Sequence, residues 1–160
     1  MKTLLVSFAA AALLALSTAA PAADSEPPKP TPARATADPL APARDAIAAR
    51  RWPAALDELR RANLTANADW NNLMGYALRK QASPDLDGAQ KYYDAALRID
   101  PRHQGALEYS GELALMKGRP ADAELKLAAL GKLCSSPCEP LDDLKKAIER
   151  YKANGNRYLP

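Results

Sequence analysis

From residue 43 onward, apolar side chains recur with a period near 3.6 residues, which places them on one face of an α-helix. Leu56, Leu59 and Leu64 form one such stripe. Strong helix formers dominate this region, and no alternation of β-branched residues predicts a strand. The pattern therefore predicts an all-α fold. The predicted helices are residues 43–51, 54–65, 69–81, 86–99, 104–117, 120–132 and 141–153.

Prolines punctuate the helical region at regular intervals. Those at positions 84, 101, 120 and 137 are separated by 17, 19 and 17 residues. Proline suits the first turn of a helix and the residues just beyond its end, but not its middle. The spacing therefore predicts helices of about 12–14 residues joined by short turns, and two such helices make a unit of about 34 residues.

A pair of helices in about 34 residues resembles the tetratricopeptide repeat. The segment from Trp70 to Pro101 is similar to one copy of that repeat, and a second copy follows it without a gap. Residues 43–69 resemble a weaker copy. The residues that carry the resemblance are Trp70, Gly75, Ala89, Tyr93, Ala96, Pro101, Leu107, Gly111, Gly118, Ala123 and Leu127.

The sequence departs from the family pattern at two points. The turn SPDLDG at residues 83–88 is about two residues longer than expected, and Leu107 stands where the family often has Trp. The resemblance implies a helix-turn-helix solenoid of about three repeats over residues 43–153, closed by a C-terminal capping helix at 141–153. Residues 154–160 then form a short tail.

The resemblance also implies a concave groove, lined by the first helix of each repeat, that holds an extended peptide or a partner's helix. Small residues such as Gly75 and Gly111 are expected to let neighbouring helices approach closely. In the groove, Arg79 is expected to pair with a ligand's carboxylate. The candidate groove residues are Asn72, Tyr76, Arg79, Lys80, Glu108, Glu112 and Met116. Their acidic and basic pairs predict a dipolar groove, and a solvated charged face without a ligand is the alternative.

The N-terminal region reads as an export signal followed by a spacer. In residues 1–22 a lysine precedes a short apolar run, and small residues at the end fit a cleavage site. A membrane anchor is the alternative, but the run is shorter than the roughly 18–20 residues that cross a bilayer. Residues 23–42, rich in Pro and Ala, predict a disordered linker. We therefore expect a periplasmic or secreted protein with no membrane span after cleavage.

The composition limits the chemistry that the chain is expected to perform. A formal net charge of +3 over 160 residues is too small for an electrostatic nucleic-acid binder. Two Cys and one His are too few for a zinc finger or a multi-histidine metal site, so we expect no metal and no cofactor. His103 is expected in a solvent-facing turn, and no nucleophile motif accompanies it. We therefore expect no enzyme.

Cys134 and Cys138 lie in the turn before the last predicted helix. In an oxidising compartment they predict a disulfide bond that pins this helix. A redox-active pair is the alternative, although exchange motifs usually have two residues between the cysteines. The predicted function is a non-enzymatic scaffold or adaptor of the cell envelope that binds a protein or peptide of unknown identity. A thiol–disulfide redox protein and a docking subunit of an envelope assembly are the alternatives.

Overall fold

Seven α-helices and no strand make up the part of the chain that the computed structural model describes, residues 38–158. This confirms the predicted all-α class. The predicted signal peptide and residues 23–37 of the predicted linker lie outside the described residues. The helices are α1 (Ala41–Ala48), α2 (Trp52–Ala62), α3 (Ala68–Lys80), α4 (Leu86–Ile99), α5 (Gln104–Met116), α6 (Pro120–Leu133) and α7 (Glu139–Ala153).

Three helix starts differ from the predicted bounds beside prolines. These three predicted helices begin directly after a proline, whereas Pro42, Pro53 and Pro140 lie inside the first turns of α1, α2 and α7, respectively. Proline fits there because the first N–H groups of a helix have no intrahelical partner. Each of these helices therefore begins two residues earlier than predicted.

Left-handed residues end the first two helices sooner than the apolar pattern indicates. Arg50 has a φ of 54° and Asn63 a φ of 49°, values that an α-helix cannot continue. Asn63 is the C-cap of α2, and its N–H donates to the carbonyl of Leu59. As a result, α1 and α2 end before residues 51 and 65, the ends that periodicity alone predicts.

Packing between the helices follows a regular order along the described chain. Each helix packs against the next, and the odd-numbered helices α1, α3, α5 and α7 also contact one another in succession. Within residues 38–158, the even-numbered helices make no such contacts with one another. The odd-numbered helices therefore form an inner layer, and α2, α4 and α6 form an outer layer.

Close contacts at two glycines set the spacing between helices. A Cβ atom added at Gly75 would lie 2.7 Å from the ring of Tyr93, which is completely buried on α4. One added at Gly111 would lie 2.6 Å from Leu144 of α7. Gly118 differs, because it has a φ of 68° in the turn after α5 and meets no neighbour within 4 Å. Gly75 and Gly111 thus allow α3 to approach α4 and α5 to approach α7.

We predict that Gly75→Ala lowers the free energy of unfolding by about 2 kcal/mol, because the buried Tyr93 ring has no room to move. Gly131→Ala is the matched control, since Gly131 lies in α6 and a Cβ there meets nothing within 4 Å. This control gains up to about 1 kcal/mol from helix propensity. Urea denaturation measures the stability of both variants. Equal denaturation midpoints would contradict the close contact between position 75 and Tyr93.

Candidate functional site

Two neighbouring pockets open on the inner layer and meet at Lys80. The first, of about 480 Å³, lies between α1, the start of α2 and α3. The second, of about 440 Å³, lies between α3, α5, α7 and the C-terminal residues. We call the two together the inner groove. Its lining residues are Ile47, Ala48, Arg50, Trp52, Tyr76, Lys80, Glu112, Ala147, Arg150, Tyr151, Asn154 and Tyr158.

The inner helices α3 and α5 run in the same direction. Asp69 near the start of α3 lies 2.9 Å from His103 at the start of α5. Arg79 near the end of α3 contacts Met116, the last residue of α5. The C-terminal ends of these helices therefore share one edge of the inner layer, and Lys80 places the inner groove at that edge.

A buried arginine lies beneath the groove. The side chain of Arg79 is only 1% exposed, and its Nη2 atom lies 2.7 Å from Oε2 of Glu112. Its Nε donates to the hydroxyl of Tyr93 at 3.4 Å. Burial lowers the pKa of Arg79, but the neighbouring Tyr93 and Glu112 outweigh that effect and raise the pKa above its ordinary value. The structure thus pairs Arg79 with a carboxylate of its own chain.

Aromatic rings surround this ion pair and continue to the groove surface. The guanidinium carbon of Arg79 lies 5.6 Å from the ring centroids of both Tyr76 and Tyr109, within the range of cation–π attraction. Tyr76 packs against Tyr109 at 4.6 Å and against Trp52 at 5.9 Å between centroids. Trp52 of α2 and Tyr76 of α3 therefore form an aromatic wall of the groove, and Tyr109 of α5 packs behind Tyr76.

Glu108 is buried one helical turn before Glu112, with 8% of the residue exposed. Burial raises the pKa of Glu108 to about 8, and the negative charges of Glu112 and Asp143 add to the shift. Arg79 opposes the shift without cancelling it. Glu108 is therefore mostly uncharged at neutral pH.

Asn72 lies one turn before Tyr76 on the same side of α3. The residue is buried, and its Oδ1 atom has no hydrogen-bond donor among the residues that the structure describes. Its Nδ2 atom lies toward Gly105 of α5, 3.1 Å from where a Cβ atom would be. An extra atom at position 105 would therefore press on this amide.

The structure distributes the seven predicted groove residues over three environments. Tyr76, Lys80 and Glu112 line the inner groove. Arg79, Glu108 and Asn72 are buried beneath or beside it, and Met116 borders a neighbouring pocket with Tyr151 and Tyr158. Three further residues, Arg50, Trp52 and Arg150, line the groove but are not among the predicted groove residues. Arg50 and Trp52 lie between α1 and the start of α2, and Arg150 lies in α7. In the sequence, only Trp52, a large aromatic residue beside a proline at a helix start, could have indicated this part of the groove.

The sulfur atoms of Cys134 and Cys138 lie 2.03 Å apart, at disulfide distance. Cys138 is the N-cap of α7, and Cys134 packs against the apolar core between α5, α6 and α7. This distance is consistent with the predicted disulfide bond, and the two cysteines lie at the end of α6 and the start of α7.

The expectation of a solvent-facing His103 was wrong, because its side chain is only 12% exposed. His103 is the N-cap of α5, and its Nδ1 accepts a hydrogen bond from the N–H of Ala106 at 3.1 Å. Its Nε2 lies 2.9 Å from Asp69, which also pairs with Arg44. Both ring nitrogens are thus engaged in holding the starts of α1, α3 and α5 together.

Residues 38–158 contain neither a candidate metal site nor a candidate membrane span. This stretch contains no group of three or more His, Cys, Asp or Glu side chains placed to hold a metal ion. None of its helices is long and apolar enough to cross a membrane. The sequence matches no protein-family model and no curated protein.

We predict that Glu112→Gln lowers the free energy of unfolding by about 3 kcal/mol, because it leaves the buried charge of Arg79 without a counter-ion. Glu124→Gln removes a carboxylate from an exposed pair with Lys152 and is the matched control. This control changes stability by less than about 1 kcal/mol. Chemical denaturation of both variants measures the difference, and similar losses would show that the Arg79 pair contributes no more than a surface pair.

Because the pKa of Glu108 is raised in the folded chain, we predict that the stability of the fold depends on pH. This pKa is about 8 in the folded chain and close to the ordinary glutamate value of 4.5 when unfolded, so the folded state holds an extra proton between these values. The free energy of unfolding therefore falls as the pH rises through this range. Each pKa unit corresponds to about 1.4 kcal/mol, so the total loss is at most about 5 kcal/mol.

Glu108→Gln keeps a neutral side chain at this position at every pH. We expect the variant to match the wild type near pH 4 and to exceed it in stability at pH 9. Glu149→Gln, at an exposed position on α7, is the control and should retain the wild-type profile. Parallel profiles for wild type and Glu108→Gln would contradict the predicted titration.

Proposed function

We propose that residues 41–153 form a helical-repeat domain of the tetratricopeptide type. It binds an extended segment of a partner protein in the inner groove. The observation that carries the proposal is the pair of adjoining pockets, of about 480 and 440 Å³, on the inner layer. Pockets that meet at Lys80 offer a continuous path for a chain, and Trp52 and Tyr76 supply flat apolar surface along it.

Three features support a repeat architecture for this domain. The inner and outer layers alternate strictly along the chain. The pairs α1–α2, α3–α4 and α5–α6 are each joined by a short turn, and α7 covers the last pair. Gly75 and Gly111 occupy corresponding positions at close helix contacts. Stacked helix pairs of this kind bury a shared seam and leave the inner face open to a ligand.

The proposed function is binding without chemistry. Both ring nitrogens of His103 have partners within the fold, Asp69 and the N–H of Ala106, and this role as a helix cap supports a structural use of the histidine. The sulfur atoms of Cys134 and Cys138 are at disulfide distance between the end of α6 and the start of α7, which supports a structural link there. This pair is compatible with an oxidising compartment. Together with the predicted signal peptide, it supports a place in the periplasm or outside the cell.

Site-specific photo-crosslinking in the native cell envelope tests the proposal. A photoreactive residue at position 80 lies where the two pockets meet, and one at position 91 lies on exposed α4 in the outer layer. We expect a discrete protein adduct from position 80 and none from position 91. A third probe at position 146, exposed on α7, tests the alternative of a docking subunit. Adducts from position 146 alone would favour that alternative and reject the groove.

A further inference from the structure

The cations of the inner groove have no carboxylate partner within the described chain, although Lys80 Nζ lies 5.9 Å from the centroid of the Tyr76 ring. Arg50 and Lys80 line the first pocket, which contains no acidic side chain, and Lys80 and Arg150 line the second. Ion pairs formed within residues 38–158 involve none of these three side chains. All three are exposed, so their charges are available to a ligand.

The acidic residues near the groove do not offset these charges. Glu112 is the one acid that lines either pocket, and its carboxylate is paired with the buried Arg79 at 2.7 Å. Glu108 is buried away from the pocket surface. Glu139 and Asp143 act on Glu108 near the start of α7, whereas Arg150 lies near the end of that helix. Where the pockets lie, the groove therefore presents net positive charge.

The backbone at Arg50 is strained in the conformation that brings its side chain to the groove. Its φ of 54° lies in the left-handed region, which glycine adopts freely and a side chain with a Cβ does not. Stability alone therefore favours glycine at this position. An arginine there has a cost that a ligand-binding role would explain.

We propose that the inner groove is specific for an acidic segment of a partner protein. In this arrangement, carboxylates of the segment pair with Arg50, Lys80 and Arg150, and its apolar groups contact Trp52 and Tyr76. The proposal rests on the proposed function and adds the chemical class of the ligand. Because the cations contact side chains within the segment, binding requires no free C-terminal carboxylate.

The distribution of the cations favours a chain over a small anion or a membrane. The three charges are divided between two pockets, so a single phosphate or headgroup in one pocket cannot reach all of them. Tyr76 and Tyr151 add apolar surface to the pockets on either side of Lys80. A flat bilayer surface cannot enter recessed pockets on the inner layer, whereas an extended polypeptide with repeated carboxylates can follow them.

Fluorescence anisotropy of the purified chain tests the proposal with three short labelled peptides whose ends are both blocked. The peptides alternate Ala with Glu, Gln or Lys. We expect the Glu peptide to bind at least about tenfold more tightly than the Gln peptide, with an affinity that falls as salt is added. The Lys peptide should not bind.

Substitutions separate the groove charges from the overall charge. The triple variant Arg50→Gln, Lys80→Gln, Arg150→Gln should lose about tenfold or more in affinity for the Glu peptide. The matched control Lys91→Gln, Arg98→Gln, Lys132→Gln removes the same net charge from exposed positions on α4 and α6. It should retain nearly full binding.

The variant Arg50→Gly distinguishes a loss of ligand contact from a loss of binding caused by misfolding. Because glycine relieves the left-handed strain, this variant should melt at the wild-type temperature or above while it binds the Glu peptide more weakly. Weaker binding together with retained stability would assign Arg50 to the ligand. Unchanged binding would remove Arg50 from the site and overturn this part of the proposal.

The remaining outcomes distinguish this proposal from the proposed function. If position 80 crosslinks to a protein but the Glu peptide binds no better than the Gln peptide, the groove binds a partner and its acidic specificity is wrong. Equal losses in the two triple variants would also overturn the proposal. Binding of the chain to anionic phosphatidylglycerol vesicles, without binding of the Glu peptide, would assign the cations to a membrane surface instead.

Discussion

The buried ion pair between Arg79 and Glu112 is the interaction on which the inner layer depends. A charge removed from water costs several kcal/mol unless a partner and hydrogen bonds compensate it. Arg79 finds these on three helices: Tyr76 on its own α3, Tyr93 on α4, and Glu112 with Tyr109 on α5. Because each contact has a fixed direction, the pair fixes how α5 is placed against α3 and α4. The inner groove adjoins this arrangement through Tyr76, which contacts Arg79 and also lines the first pocket beside Trp52.

The same burial decides which charges a ligand would encounter. The predicted groove residues include two cations, Arg79 and Lys80, and two acids, Glu108 and Glu112. If all four were charged and exposed, the groove would be dipolar, as the sequence predicts. In the structure, Arg79 and Glu112 neutralise each other, and burial holds the Glu108 carboxyl mostly uncharged at neutral pH. The charges that remain exposed in the groove are those of Lys80, of Arg50 in the turn after α1, and of Arg150 in α7. Solvent exposure therefore matters more than sequence proximity for the electrostatics of this face.

Helix positions were largely predictable from the sequence because two independent signals agree. The 3.6-residue period marks each buried face, and the spaced prolines mark the starts of several helices. The starts of α2 and α7 differ from the prediction because Pro53 and Pro140 lie within the first turn of these helices. The ends of α1 and α2 differ because Arg50 and Asn63 are left-handed, which hydrophobic periodicity does not indicate. Arg79 lies one residue before the exposed Lys80. The approach of both α4 and α5 determines that the first is buried and the second is not.

Arg50 illustrates why the groove itself could not be predicted from the sequence. It occupies a left-handed turn between two short helices whose resemblance to the repeat is weak. Its role as a lining residue depends on where that turn lies relative to Tyr76 and Lys80, which local sequence does not specify. Natural chains tend to retain a strained residue where the surrounding structure needs its side chain. The absence of an acid in the first pocket is the observation that points to an anionic ligand at this end of the groove.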